Sequence, residues 1–148
     1  MLSAGAVLVC ALDVLGRGAS SMPPIELVDA PPLGASATAE AYVGHSPDTI
    51  YLITSSPVFR EAASAQPRCR IQDHTAFKKI ASILVHEEWH IRHGSDERGA
   101  YYAQLTTLWN LGLGPETRVY HSVVKSMQQV LSLQARSRRP DLVVARMR

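Results

Sequence analysis

From Asp73 onward, apolar residues recur every three or four positions, which is the spacing of amphipathic helices. Gly94 and the turn sequence "GLGP" at residues 112–115 interrupt this pattern. The pattern therefore predicts three successive helices, over residues 73–93, 96–112 and 115–136. The first of them carries a single apolar stripe, formed by Ala76, Ile80, Ile83, Leu84 and Ile91.

Before Asp73 the apolar runs are shorter and lie between turn-forming residues. Short β-prone runs bounded by Pro, Gly, Ser and Asp are typical of strands. They occur at three places, namely Ile25–Val28, Ala41–Val43 and Thr49–Thr54. The last two are separated by "GHSPD", whose turn composition predicts a β-hairpin. Ser56 or Pro57 can begin a short helix after it.

The apolar run at the N-terminus has two interpretations. It suggests a secretion signal, but no Lys or Arg precedes it, Asp13 interrupts its end, and it is too short to span a bilayer. Leu8, Leu12 and Leu15 fall at helical spacing. Gly16 can end a helix at this point. A first core helix is therefore favoured over a targeting segment, and a cytoplasmic location is expected.

These elements predict a single α+β domain over residues 1–138, in which a small sheet packs on a helical layer. Residues 139–148 are expected to form a loose tail. With 148 residues the chain is long enough for one hydrophobic core. Cys10 and Cys69 match no zinc-binding spacing, so buried free thiols are the simplest expectation, with one bridge between them as the alternative.

The composition narrows the classes of function. The chain is 46% hydrophobic and 19% charged, which is ordinary for a soluble globular protein and gives no sign of a membrane span. The formal net charge is only +2, and the basic excess lies mainly in the last thirteen residues, "RSRRPDLVVARMR". A nucleic-acid-binding domain would carry a basic face over its whole length, so nucleic acid is not an expected partner.

The segment His86-Glu87-Glu88-Trp89-His90 has the pattern H-E-x-x-H. Histidines four residues apart lie on one helix face, where both imidazoles can reach one Zn²⁺ at about 2.0–2.1 Å. Glu87 falls within the apolar stripe, where an unpaired carboxylate would be costly. Its position is explained if it holds the water that the metal polarises and takes its proton. Glu88 receives no role, Trp89 is expected to pack, and a chance pair of surface histidines is the alternative.

A catalytic zinc ion needs a third protein ligand and an open position. Glu97 follows His90 by seven residues, and a tight turn at Gly94 and Ser95 can bring it back to the histidines. Asp96 is the competitor, either as the ligand or as the residue that caps the next helix. Glu97 is favoured because it heads the helix face that continues with Tyr101, Gln104, Leu108 and Leu111.

Residues 81–112, "ASILVHEEWHIRHGSDERGAYYAQLTTLWNLG", resemble zinc metallopeptidases of the gluzincin type. More narrowly, they are similar to small bacterial proteins of this type in which H-E-x-x-H is followed closely by "DExxAYxxQ". The resemblance implies a minimal gluzincin-like fold with one zinc ion held by His86, His90 and Glu97. It also implies Glu87 as the general base.

The resemblance further implies a peptide or protein substrate that adds as an extra strand to an edge strand, which would be Thr49–Ser55. Two departures concern the third ligand. Most gluzincins place it much further along the chain. The metzincin pattern H-E-x-x-H-x-x-G-x-x-H is also missed, since Gly94 is one position late and Asp96 occupies the slot of the third ligand.

Tyr101 lies one turn after Glu97, where its phenol can donate to an oxyanion or simply pack. His93 and His121 are weaker candidates, because nothing in the sequence fixes their positions. A chain this short has few residues left to form a second wall of the cleft around the site, so a shallow, open site is expected. The sequence thus predicts a zinc hydrolase of the peptidase class. Its rivals are a non-catalytic metal-binding or regulatory module and a structural helical protein with a chance motif.

Overall fold

The computed structural model describes residues 1–36, 38–64 and 75–137. These residues form five α-helices and a three-stranded mixed sheet, so the predicted α+β fold class is confirmed at this level. In chain order the elements are α1 (Ala4–Leu15), β1 (Ile25–Val28), β2 (Ala41–His45), β3 (Asp48–Ile53), α2 (Pro57–Ala63), α3 (Thr75–His93), α4 (Glu97–Asn110) and α5 (Arg118–Ser137). The tail predicted at residues 139–148 lies outside the described residues.

The N-terminal apolar run forms a core helix, as predicted. The side chain of Ser3 caps α1, and Gly16, with φ 72°, ends it in the left-handed conformation that favours glycine. Val7 and Ala11 are fully buried, whereas Leu8 and Leu15, which were expected on the buried stripe, are only partly buried. No helix among the described residues combines the length and the apolar character that crossing a bilayer requires.

The expectation of a free thiol at Cys10 is wrong, because this buried residue is disulfide-bonded. A bond of this kind restricts the unfolded chain and so stabilises a small fold. The other cysteine of the chain, Cys69, lies outside the described residues.

The sheet has the strand order β1-β3-β2, with β1 parallel and β2 antiparallel to β3. The predicted β-hairpin is confirmed, but its turn is shorter than expected. His45 and Asp48 pair across it at 3.1 Å, so only Ser46 and Pro47 remain in the turn.

The prediction that Thr49–Ser55 supplies an exposed edge strand is wrong. This segment contains β3, which is paired on both sides and carries the fully buried Ile50. The edge strand is β2 instead. The physical reason is the parallel pairing of β1 with β3, which occupies the side that the hairpin alone would leave open.

The main core lies between the sheet and the first three helices, which all contribute fully buried side chains. Its largest fully buried side chains are Phe77, Ile50, Leu52, Ile80 and Leu84. A second, smaller cluster joins α4 to α5 through Leu105, Leu108, Val119 and Val123. Because α3 contacts α1, α2, α4 and the sheet, it connects the main core to the helix that carries the smaller cluster.

A bidentate ion pair fastens the end of α1 to α3. Arg17 donates from Nη1 to Glu88 Oε1 at 2.6 Å and from Nη2 to Glu88 Oε2 at 2.7 Å. Arg92 adds a longer hydrogen bond of 3.3 Å to the same carboxylate. The hydrogen bonds from Arg17 lower the pKa of Glu88, so this buried carboxyl group is ionised at neutral pH.

We predict that Arg17→Met lowers the free energy of unfolding by about 1–3 kcal/mol at neutral pH, because it leaves a buried carboxylate with one weak partner. Since the folded pKa of Glu88 is lowered, this contribution is present above its unfolded value of about 4.3 and is lost as the pH falls through the folded value. In denaturant unfolding, the difference in free energy of unfolding between wild type and Arg17→Met should therefore become smaller as the pH is lowered. The control is Arg92→Met, whose exposed side chain should matter little. Equal stability of wild type and Arg17→Met at neutral pH would contradict the prediction.

Candidate metal centre

The turn between α3 and α4 brings a carboxylate back to the two histidines of α3. Gly94, with φ 92°, ends α3 in the left-handed conformation. Asp96 caps α4 by accepting from the backbone N–H of Arg98 at 3.1 Å. Glu97 is therefore the first residue of α4 and faces the C-terminal turns of α3.

Three side chains meet at one point. The Nε2 atoms of His86 and His90 lie 3.2 Å apart. Glu97 reaches His90 Nε2 with Oε1 at 2.8 Å and His86 Nε2 with Oε2 at 3.4 Å. All three potential ligand atoms lie within 4.8 Å of one another, so this group could hold a metal ion.

The chemistry of the donor set fits such an ion. His90 Nδ1 lies 2.8 Å from the backbone oxygen of Gly94, which can only accept, so Nδ1 carries the proton. Nε2 is then the nitrogen that can bind a metal in place of its own proton, and it lies beside Glu97. Two imidazole nitrogens and one carboxylate are ligands that zinc accepts in catalytic sites.

The charges at this point are strongly coupled. Burial raises the pKa of Glu97, but the hydrogen bonds to His86 and His90 and their charges lower it to about 2. Burial lowers the pKa of His90, but its hydrogen bonds to Glu97 and Gly94 and the charges of Glu97 and Glu87 raise it to about 9. Glu97 and Glu87 therefore favour the positively charged form of His90, at the place where the three side chains meet.

Glu87 lies beside this cluster and lines the cavities on both sides of it. Burial raises its pKa, the charges of His86 and His90 oppose this, and the charge of Glu97 raises it further, so its pKa lies above the ordinary value. A carboxylate with increased proton affinity beside a possible metal position is suited to accepting a proton. Glu87 thus lies beside the group of possible ligands, and its role as a base stays a prediction.

Tyr101 packs its ring edge-on against His86, with the ring centroids 4.5 Å apart. Burial, followed by the charges of Glu97, Glu40 and Glu87, raises its pKa to about 12. The phenol is therefore a neutral hydrogen-bond donor at physiological pH. It lines the same cavity as Glu87.

A groove runs along β2 past the cluster. On one side a cavity of about 430 Å³ extends from Ala41 to α5, and on the other a cavity of about 370 Å³ is lined by Tyr42 and Val43. The sequence predicts a shallow site without a second wall. In the structure α5 supplies that wall, through Val123, Val130 and neighbouring residues.

The remaining candidates lie away from the cluster. Asp96 is the exposed cap of α4 and is not part of the group of possible ligands among the described residues. His93 is exposed and packs against Trp89 with its ring tilted by 36° and the ring centroids 4.7 Å apart. His121 is exposed on α5 and lines neither of the two cavities.

Gln104 is the residue that the sequence analysis overlooked. The helical spacing puts it on the face of Glu97 and Tyr101, but the sequence alone indicates no role for it. In the structure it is buried, and its Oε1 lies 2.9 Å from His86 Nδ1. The available signal was a polar residue at an otherwise buried position, one turn beyond Tyr101.

Comparison with known proteins assigns the chain to no family, since no family model, no curated protein and no solved structure matches it significantly. The resemblance to gluzincins in residues 81–112 therefore stays a prediction. The geometry of the cluster and the groove is the observation that bears on function.

We predict that Gly99→Ala destabilises the protein by about 1–3 kcal/mol, because the ring of Trp89 occupies the space of the added Cβ. The steric cost should outweigh the higher helix propensity of alanine. Gly5→Ala in α1 is the matched control. No atom lies within 4 Å of its added Cβ, so it should stabilise by up to about 1 kcal/mol. Thermal and denaturant unfolding measure both changes, and a neutral or stabilising Gly99→Ala would contradict the packing of this turn.

Proposed function

We propose that this protein is a zinc-dependent hydrolase that cleaves peptide bonds. The observation that carries the proposal is the convergence of His86, His90 and Glu97 on one point with Glu87 beside it. These groups lie at the floor of a groove between an edge strand and a helix. The arrangement therefore combines possible metal ligands, a base and space for an extended substrate.

A zinc ion held by this cluster would supply a Lewis acid, which acidifies water and polarises a carbonyl group. Glu87 then accepts the proton of the attacking water and passes it to the nitrogen of the leaving amine. Its raised pKa suits this exchange in both directions. Tyr101, as a neutral donor in the same cavity, stabilises the negative charge that develops on the carbonyl oxygen.

The edge strand β2 is suited to binding a peptide by strand addition. The backbone N–H of Ile53 donates to Glu40 O at 3.0 Å, so Glu40 and Tyr42 direct their backbone groups to β3. By alternation, Ala41 and Val43 direct theirs to the free edge, and both residues line the groove. An extended peptide can pair there and pass over the cluster.

A metal-binding module without catalysis is the second candidate, because His86, His90 and Glu97 could hold an ion without any help from Glu87. The two proposals differ in the role of one residue. An enzyme requires the carboxylate of Glu87, whereas a binding module does not.

We predict that the purified protein binds about one zinc ion per chain. His86→Ala and His90→Ala should abolish binding, since each removes a nitrogen ligand from a set of three. Metal analysis after dialysis against zinc, together with chelator competition, measures both the stoichiometry and the affinity. A wild-type protein that stays free of zinc under these conditions would disprove the metal site.

The choice of the acidic ligand is tested in the same assay. Glu97→Ala should weaken zinc binding strongly, while Asp96→Ala should lose only the cap of α4. Circular dichroism controls for the folding of both variants. If Asp96→Ala has the larger effect on affinity, Asp96 is the ligand and the assignment of Glu97 is wrong.

We predict that wild-type protein cleaves some member of a diverse peptide library and that a zinc chelator inhibits the cleavage. Glu87→Gln should retain zinc but lose about 10²–10⁴-fold in rate, because the amide cannot accept the proton. Mass spectrometry of the library identifies the cut peptides. Cleavage that is undiminished in Glu87→Gln would exclude this mechanism, and a zinc-loaded protein that cuts nothing would favour the binding module.

A further inference from the structure

The environment of His86 differs from that of His90 in one respect. The Nδ1 atom of His90 meets a backbone oxygen, that of Gly94, whereas the Nδ1 atom of His86 meets a side chain, that of Gln104. Gln104 is only 4% exposed and His86 only 7%. A buried side-chain amide must be paired at both ends, so its orientation can be derived from its partners.

The hydrogen bonds around Gln104 run in one direction. Ser82 donates its only hydroxyl proton to the backbone oxygen of Lys79 at 2.7 Å, because a carbonyl oxygen cannot donate. The hydroxyl oxygen of Ser82 is then left as an acceptor. It receives the amide N–H of Gln104 at 3.3 Å.

This chain fixes the tautomer of His86. Since the amide nitrogen of Gln104 faces Ser82, the amide oxygen faces His86 Nδ1 at 2.9 Å. An amide oxygen only accepts, so Nδ1 carries a proton and Nε2 is the nitrogen left to bind a metal. This nitrogen lies 3.4 Å from Glu97 Oε2, at the point where the cluster could hold an ion.

We propose that Gln104 is a positioning residue, which holds His86 in the orientation and tautomer required for metal binding through Nε2. The inference rests on the proposed metal site and assigns to it a support that comes from another helix, 18 residues along the chain. Ser82 is the second member of this support, because it sets the direction of the amide.

The support should matter for affinity. When the second ring nitrogen of a histidine ligand loses its hydrogen-bond partner, the metal affinity typically falls by about 10–100-fold. Gln104 is also the part of this arrangement that mutation can remove, since the corresponding partner of His90 is a backbone oxygen.

The test compares four single variants of the full chain. Gln104→Met keeps the volume and removes both hydrogen bonds, whereas Gln104→Glu keeps an acceptor for His86 Nδ1. Ser82→Ala removes only the residue that orients the amide. Thr107→Val is the matched control, because it removes a side-chain hydrogen bond within α4, to Ala103 O, without touching His86.

Two quantities are measured for each variant. The first is zinc affinity by chelator competition. The second is the imidazole Nδ1–H signal of His86 in ¹H–¹⁵N NMR spectra of the metal-free and the zinc-loaded protein. This signal reports the proton that Gln104 holds in place, which a role in packing alone would not affect.

We expect Gln104→Met to weaken zinc binding about 10–100-fold and to lose the Nδ1–H signal of His86 through exchange with solvent. Gln104→Glu should restore most of both, Ser82→Ala should show a smaller loss, and Thr107→Val should behave as wild type. If Gln104→Met does not fold, the losses of zinc affinity and of the Nδ1–H signal in Ser82→Ala alone test the inference, because this substitution leaves Gln104 in place.

Unchanged affinity and an unchanged Nδ1–H signal in Gln104→Met or, if it is unfolded, in Ser82→Ala would overturn the inference. Equal losses in Gln104→Glu and Gln104→Met would also overturn it, since they would show that packing decides. Failure of the proposed function can be distinguished from failure of the role inferred for Gln104. A wild type without zinc affinity disproves the metal site, while the NMR signal of the metal-free protein still tests the tautomer of His86.

Discussion

The arrangement of the site follows from the burial of α3 on several sides. This helix contacts α1, α2, α4 and the sheet, and three of its polar side chains, Ser82, His86 and Glu88, are less than 9% exposed. A buried polar group without a partner costs about 1–3 kcal/mol, and an ionised one costs more. Each of the three must therefore be paired within the protein.

The partners of these side chains come from the end of α1 and from α4. Arg17 at the end of α1 pairs with Glu88, and Gln104 on α4 pairs with both Ser82 and His86. Glu97 at the start of α4 completes the surroundings of His86. The same pairing that makes burial tolerable also fixes the direction of the imidazole, so the fold and the geometry of the site have one physical origin.

The parts of the site that depend on short separations along the chain could be predicted from the sequence. The helical spacing places His86 and His90 on one face, and the glycine turn returns Glu97 to them within seven residues of His90. Asp96 could not be excluded in advance, because both acids suit the first turn of a helix. The cap that Asp96 forms with the N–H of Arg98 separates the two.

The parts that depend on pairing between distant segments were not accessible to the same reasoning. Arg17 and Glu88 are 71 residues apart, and neither shows a local pattern that indicates the other. Nothing in the sequence of the hairpin indicates the parallel pairing of β1 with β3. The sequence therefore predicts β3 as the edge strand, whereas the edge strand of the hairpin is β2. The wall formed by α5 was missed because its apolar residues predict burial without indicating the surface against which they pack.

The cluster also joins two separately packed parts of the molecule. His86 and His90 belong to α3, whose apolar side chains form the main core with the sheet, whereas Glu97 belongs to α4, which shares the smaller cluster with α5. The two walls of the groove also belong to different parts, since β2 packs with the main core and α5 packs in the smaller cluster. An ion held by all three side chains would therefore act as a cross-link between the walls. Its binding energy would add to the packing of α3 against α4, because ligand binding to the folded state alone stabilises that state. The geometry of the groove and the occupancy of the metal position would then be coupled, with Glu97 as the residue through which they act on each other.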